Sequence, residues 1–241
     1  MASALVTPLS TFSLASTTRL FGRAAIVAAL AVGSGCGART ADLGNVVPNA
    51  EQTAVSGTQI RQRLRLVFSW TLQDRDARFS GDGAMRIEQP YHARLDLFGP
   101  RGEGYLSAAL VDSELRLPAT ALPNLLPPPT MLWAVMGVFR PPHGADLVGA
   151  KGDSASVVMQ YRLGAESWKF QLRNGQLVSA EWLGPDQGKQ TVEIREYHLR
   201  GLPARAVYRD WRAFRELTLT LTEVHEVESP FPPETWLPGV R

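Results

Sequence analysis

From Leu64 onward, apolar and polar residues alternate with a period of two. Arg65-Leu66-Val67-Phe68-Ser69-Trp70 reads as a strand, and Met85 and Ile87 alternate with polar neighbours. Tyr91, Ala93, Leu95 and Leu97 share one face, while His92, Arg94 and Asp96 share the other. Trp168, Phe170 and Leu172 alternate with Lys169 and Gln171, and Leu217, Leu219 and Leu221 alternate with Thr218, Thr220 and Thr222. Successive strand side chains point to opposite faces, so these runs predict half-buried strands. Turn residues punctuate them at Gly81-Asp82-Gly83, Gln89-Pro90, Gly99-Pro100, Asn174-Gly175 and Gly184-Pro185. Asn174-Gly175, set between Trp168–Arg173 and Gln176–Trp182, is a strong hairpin signal. The pattern predicts a mainly β protein built on a meandering antiparallel sheet.

One segment breaks the alternation. Leu122 to Pro142 reads LPNLLPPPTMLWAVMGVFRPP, and prolines bracket a mostly apolar stretch from Thr130 to Arg140. Thr130 can cap a helix there, and Arg140 suits the negative end of its dipole. A helix apolar on all sides has to be covered on most of them. It is too short to cross a bilayer, which takes about 20 residues. Laid over the mouth of a curved sheet, it encloses an apolar cavity; pushed inside, it plugs the core. The periodicity leaves both arrangements open.

The first 57 residues have a different character. Arg19 and Arg23 precede the apolar run Ala24 to Val32, whose length suits the hydrophobic part of a signal peptide. Gly33-Ser34-Gly35 then leads into Cys36, the only cysteine. Two readings follow: a lipidated cysteine that becomes the mature N-terminus, or an ordinary secretory signal with an incidental cysteine. The expected organisation is a signal peptide over 1–35, a lipidated cysteine and flexible tether over 36–57, and a folded domain over 58–241. A short helix is expected at the end of the tether and over Thr58–Arg63. A lone cysteine excludes an intramolecular disulfide.

Charge narrows the function. Residues 1–35 carry two arginines and no acid, so the remainder holds 23 basic and 23 acidic residues. That balance argues against an electrostatic nucleic-acid binder. The apolar content of 44% supports a genuine core. Catalytic patterns are missing from the sequence. The histidines at 92, 143, 198 and 225 share no metal-like spacing, and no H-E-x-x-H, paired-cysteine or G-x-S-x-G pattern occurs. Gly99-Pro100-Arg101-Gly102-Glu103-Gly104 reads as a strand-linking turn, and the Glu193/Glu196 and Glu223/Glu226/Glu228 clusters read as solvated strand faces. The expectation is a protein without catalysis, cofactor or metal.

Taken together, Phe79 to Ile87, Pro90 and Ala93 to Gly102 resemble the early strands of the LolB outer-membrane lipoprotein receptor family, within the LolA–LolB lipoprotein-localisation group. Met131 to Pro141 is similar to that family's helix with its Leu-Gly-x-x-x-Pro phrase. Asp146-Leu147-Val148-Gly149 matches a later phrase without its tryptophan. Trp168-Lys169-Phe170 and Thr191 to Arg205 look like its later strands. The resemblance spans about Leu64 to Val227. The tail Phe231 to Pro238 looks more like the end of LolA-like proteins.

The resemblance implies an open, incomplete antiparallel β-barrel with a helical lid over an apolar cavity. It implies acyl chains of lipoproteins as the ligand, a LolA-like periplasmic carrier as a partner, and transfer to or insertion in the outer membrane. Cavity candidates from the alternation and the helix are Phe68, Trp70, Met85, Ile87, Leu95, Leu97, Leu132, Trp133, Met136, Phe139, Trp168, Phe170, Leu219 and Leu221. Arg94 is a candidate for a head group if it faces inward. The family's membrane-inserting leucine lies on an early loop; the matching turn Glu88-Gln89-Pro90-Tyr91-His92 offers only Tyr91. The alternative is a non-catalytic interaction lipoprotein of an envelope complex that uses the same fold without a ligand. A bulky residue at Ala134 would separate the two.

Overall fold

The computed structural model describes residues 47–238 apart from 120, 122–124, 154 and 199. The signal segment, Cys36 and the tether as far as residue 46 lie outside the described residues.

Twelve strands form one antiparallel sheet. β1 (Leu64–Asp74), β2 (Ala77–Glu88), β3 (His92–Phe98), β4 (Gly104–Val111) and β5 (Glu114–Arg116) run outward as one meander. A second meander runs inward from β6 (Asp146–Gly152) through β7 (Ser156–Leu163), β8 (Glu166–Arg173), β9 (Gln176–Leu183), β10 (Lys189–Tyr197) and β11 (Pro203–Asp210) to β12 (Arg215–Glu226). The two join at the centre, where β1 pairs with β12 from Leu64↔Glu226 to Asp74↔Arg215. β5 and β6 are the two edges, so the sheet is not closed into a barrel among the described residues. The connection from β5 to β6 therefore passes from one edge to the other, and it carries α2 (Pro129–Val135).

The alternation seen in sequence sets which side is inner. Along β1, residues 64, 66, 68, 70 and 72 are all buried, with more exposed residues between them. The expected hairpin at Asn174-Gly175 is present: Arg173 pairs with Gln176, and both turn residues have positive φ. Gly81-Asp82-Gly83, expected as a turn, instead lies inside β2. These glycines allow close approach. A Cβ on Gly83 would fall 2.3 Å from the Phe68 ring, and one on Gly81 would fall 1.9 Å from the Phe98 carbonyl oxygen. Trp70, which pairs with Gly81 across the strands, donates its indole N–H to the carbonyls of Asp82 and Phe98, both at 3.0 Å.

Two further expectations need correction. α1 spans Ala50–Thr58, with Ala50, Ala54 and Thr58 buried, so the packed domain begins within the segment expected to be a tether through residue 57. Ala50 and Ala54, spaced by four on one helix face, supply the small apolar contact that a free tether would lack. α2 is also shorter than the Thr130–Arg140 stretch. Gly137 has φ +79 and ends it: Val138 N–H donates to the Trp133 carbonyl and Gly137 N–H to that of Ala134, the two bonds of a Schellman cap. The N-cap is Pro128, not Thr130. Arg140 lies past the helix, where it pairs with Asp112 at 3.1 Å and stacks 3.7 Å over the Tyr91 ring.

Candidate functional site

α2 is positioned by prolines before it and by three anchors around it. The Trp133 indole donates to the Asp112 carbonyl at 2.7 Å, tying the helix to the β4–β5 turn. Thr58 closes α1 by donating to the Ala54 carbonyl at 2.8 Å, and its oxygen accepts the Phe139 N–H at 2.9 Å. Phe139 then stacks edge-on against Phe170 with centroids 5.0 Å apart, beside Tyr161. Met131, Leu132, Trp133, Ala134 and Val135 are all at most 3% exposed. The helix thus fills the interior instead of roofing an open cavity.

Two wholly apolar spaces lie on either side of Met136. One apolar cleft of about 40 Å³ is bounded by Leu66, Phe68, Met85, Ile87, Val135, Met136, Leu202, Pro203, Ala206, Leu219 and Leu221. A smaller void of about 10 Å³ is bounded by Met85, Ala93, Leu95, Ala108, Leu110, Leu115, Leu132 and Met136. Every residue around both is apolar. Met85 and Met136 face both spaces, so two flexible thioether side chains separate them. Sites that enclose a small ligand hold roughly 300–1,000 Å³, so neither space as it stands holds such a ligand. A larger groove of about 450 Å³ lies between α1 and the turns before β7 and after β8; its walls mix Asp153, Ser156 and Asn174 with apolar residues, and it opens where the described chain begins.

Of the residues expected from sequence, Phe68, Met85, Ile87, Met136, Leu219 and Leu221 converge on the larger cleft, and Leu95 and Leu132 on the smaller. Trp70 and Leu97 are buried away from both, Trp70 against Tyr105 at 5.0 Å. Trp133 serves as the anchor just described. Phe139 and Phe170 belong to the Tyr161 ring cluster, and Trp168 packs near Trp182 at 6.1 Å. Leu66, Val135, Leu202, Pro203 and Ala206 complete the cleft without having been singled out. Leu66 continues the alternation of Phe68 and Trp70; Pro203 and Ala206 have no local signal.

Two further candidate side chains are engaged by the chain itself. Tyr91 is half-buried, with its ring edge-on to Trp133 at 5.8 Å and covered by Arg140. Arg94 lies on the outer face of β3. It bonds Asp96, which also takes Arg86 at 2.7 Å, and it donates to Ser107 and to the Thr235 carbonyl. The tail, including a 3-10 turn over Pro233–Trp236, lies across this face with Phe231 and Trp236 buried. Burial pushes the phenols of Tyr161, Tyr197 and Tyr208 above the ordinary tyrosine value, with the Glu51 carboxylate adding to the effect at Tyr161. Among the described residues no helix is long and apolar enough to cross a membrane.

An edge-open antiparallel sheet wrapped on a short apolar helix defines a class of fold. In structure the chain is similar to a LolA superfamily protein from Nitrosomonas europaea, with a TM-score of 0.54 at 9% identity over 74% of this chain and 94% of that one. It is also similar to a DUF1329 family protein from Desulfovibrio piger, with a TM-score of 0.49 at 7% identity over 77% and 94%. A domain from Vibrio parahaemolyticus, provisionally named for outer membrane lipoprotein sorting, gives 0.47 at 8% identity over 77% and 94%. No family model and no curated protein matches the sequence. The likeness is one of fold alone: it agrees with the open, LolA-like sheet architecture expected from sequence and does not single out LolB.

Proposed function

We propose that the chain is a lipid-anchored protein of the bacterial envelope, held on Cys36, that takes acyl chains of lipoproteins into the cleft beside Met136. Its role is to pass lipoproteins to the outer membrane or insert them there, receiving them from a LolA-like periplasmic carrier. It is not an enzyme and uses no cofactor. The observation that carries this reading is the all-apolar lining on both sides of Met136, within a sheet left open at its edges.

The closed interior makes α2 the moving part. An entering chain replaces the helix as cover for the inner face, while the displaced helix must re-pack its own apolar side chains. Burial returns about 0.8 kcal/mol per methylene, so ten methylenes supply about 8 kcal/mol toward moving the helix. Uptake is tested with a Cys36→Ser chain and a fluorescent fatty acid, together with mass spectrometry of lipid carried through purification. Met136→Trp fills both spaces and should weaken uptake at least tenfold with melting temperature retained; Ala206→Leu, on the sheet side, is the second variant. Ala134 is fully buried, so a bulky residue there breaks the core before it reports on uptake.

The filled interior also favours a second reading, an interaction protein of an envelope complex that never opens. Absence of uptake and of carried lipid in the unmodified chain selects it.

A further inference from the structure

Six large apolar side chains that are exposed lie along one end of the sheet. They are Phe79, Val148, Leu163, Leu183, Trp211 and Phe214. The register sets the end: it is where β1 turns into β2 at Asp74↔Ala77, β7 into β8 at Leu163↔Glu166, β9 into β10 at Leu183↔Lys189, and β11 into β12 at Asp210↔Arg215. Trp211 and Phe214 are the most exposed of them, at 54% and 74%, and the Trp211 indole N–H donates to the Thr191 hydroxyl at 3.3 Å.

The loop that carries them is firmly held. The Asp210 carboxylate accepts the N–H groups of Arg212 and Ala213, both at 3.0 Å. Trp211 N–H donates to the Lys189 carbonyl at 3.0 Å, and the Phe214 carbonyl accepts the Arg75 N–H at 3.1 Å. Three hairpins thus fix the position of two exposed rings. Phe214 sits at φ +54, in the left-handed region. Glycine or asparagine takes that conformation freely, and a bulky aromatic does so at a cost. A ring three-quarters exposed gains too little packing to offset that cost. Folding therefore does not account for phenylalanine at this position.

We propose that this end of the sheet docks on a phospholipid bilayer, with Trp211 and Phe214 seated at the boundary between headgroups and acyl chains. The sequence Trp211-Arg212-Ala213-Phe214 alternates rings with a guanidinium, and Arg75 and Arg78 stand exposed on the neighbouring hairpin. Rings at headgroup level and guanidinium groups on phosphates are the chemistry of a membrane interface. The clefts described above lie elsewhere, and projecting convex tips suit a soft surface better than a protein pocket. Local charge is largely compensated: Arg215 pairs with Asp74 at 2.5 Å and Arg212 with Asp186 at 3.7 Å. Docking is thus carried by the rings and depends little on anionic lipid. The site goes beyond acyl-chain uptake and shares no residue with the cleft.

The test uses the full chain with Cys36→Ser. Sedimentation is measured with vesicles of phosphatidylcholine, and of phosphatidylethanolamine with one quarter phosphatidylglycerol. Quenching by brominated lipid is read for Trp211 by difference against Trp211→Phe. The expected results are quenching of Trp211, affinities within about threefold between the two vesicles, and at least a fivefold loss with Phe214→Gly. That variant also keeps or raises the melting temperature and keeps fatty-acid uptake, which separates docking from folding and from the cleft. Absence of Trp211 quenching, or unchanged vesicle affinity in Trp211→Ser/Phe214→Gly, overturns the proposal.

Discussion

A methyl group added at Gly81 would stand 1.9 Å from the Phe98 carbonyl oxygen, closer than any real contact. Strand β3 cannot yield there without losing its pairing of Phe98 with Asp82. Gly81→Ala should therefore destabilise the protein by about 3 kcal/mol in urea titration, near the upper range for overpacking. Gly-Asp-Gly signals a turn when only neighbours along the chain are considered. The reason for these glycines lies in the Phe68 ring and the Phe98 backbone of the neighbouring strands, and no local pattern reports it. Phe214 is the opposite case, since its helical-left backbone and exposed ring are both invisible to periodicity. By contrast, inward residues such as Met85, Ile87 and Leu219 were legible because period two directly encodes which face of a strand they occupy.

At the scale of elements, α2 shows what an apolar run between prolines does and does not reveal. Its existence followed from the run itself. Its length did not, because the Gly137 stop is embedded among apolar residues that continue the pattern without continuing the helix. Nor did its place as filling instead of lid, which depends on the edge-to-edge crossing between β5 and β6. Asp112 holds this segment at two points, its carbonyl accepting from Trp133 on the helix and its carboxylate pairing with Arg140 beyond it. Trp133→Phe removes the first of these and leaves a gap where the indole's second ring packed. The expected loss of stability is about 1 kcal/mol from the hydrogen bond and about as much again from the gap. If α2 moves to admit acyl chains, the same variant should take up fluorescent fatty acid about fivefold faster. A slower or unchanged rate, with stability lowered as expected, would show that the helix is not the gate.

At the scale of the molecule, three buried phenols make stability sensitive to alkali. Tyr161, Tyr197 and Tyr208 have folded-state pKa values raised by burial, so ionisation is easier in the unfolded chain. Their contribution is complete below the unfolded value of about 10 and is lost as pH rises above it. Melting temperature should fall steeply above about pH 10, and less so in Tyr208→Phe.

The seam between β1 and β12 carries a different consequence. Its partners lie at opposite ends of the folded domain's sequence, so the first strand has no central neighbour until the last has been made. Each half-meander can zip from its own hairpins, which are local and fast. Joining the halves closes a loop of well over a hundred residues, the kind of distant pairing that slows folding to milliseconds or longer. Until then the apolar face of β1 and its unpaired edge are open to other chains. The period of greatest risk for this protein is thus the interval before its two ends meet, and whatever shortens that interval protects the chain more than added stability in either half.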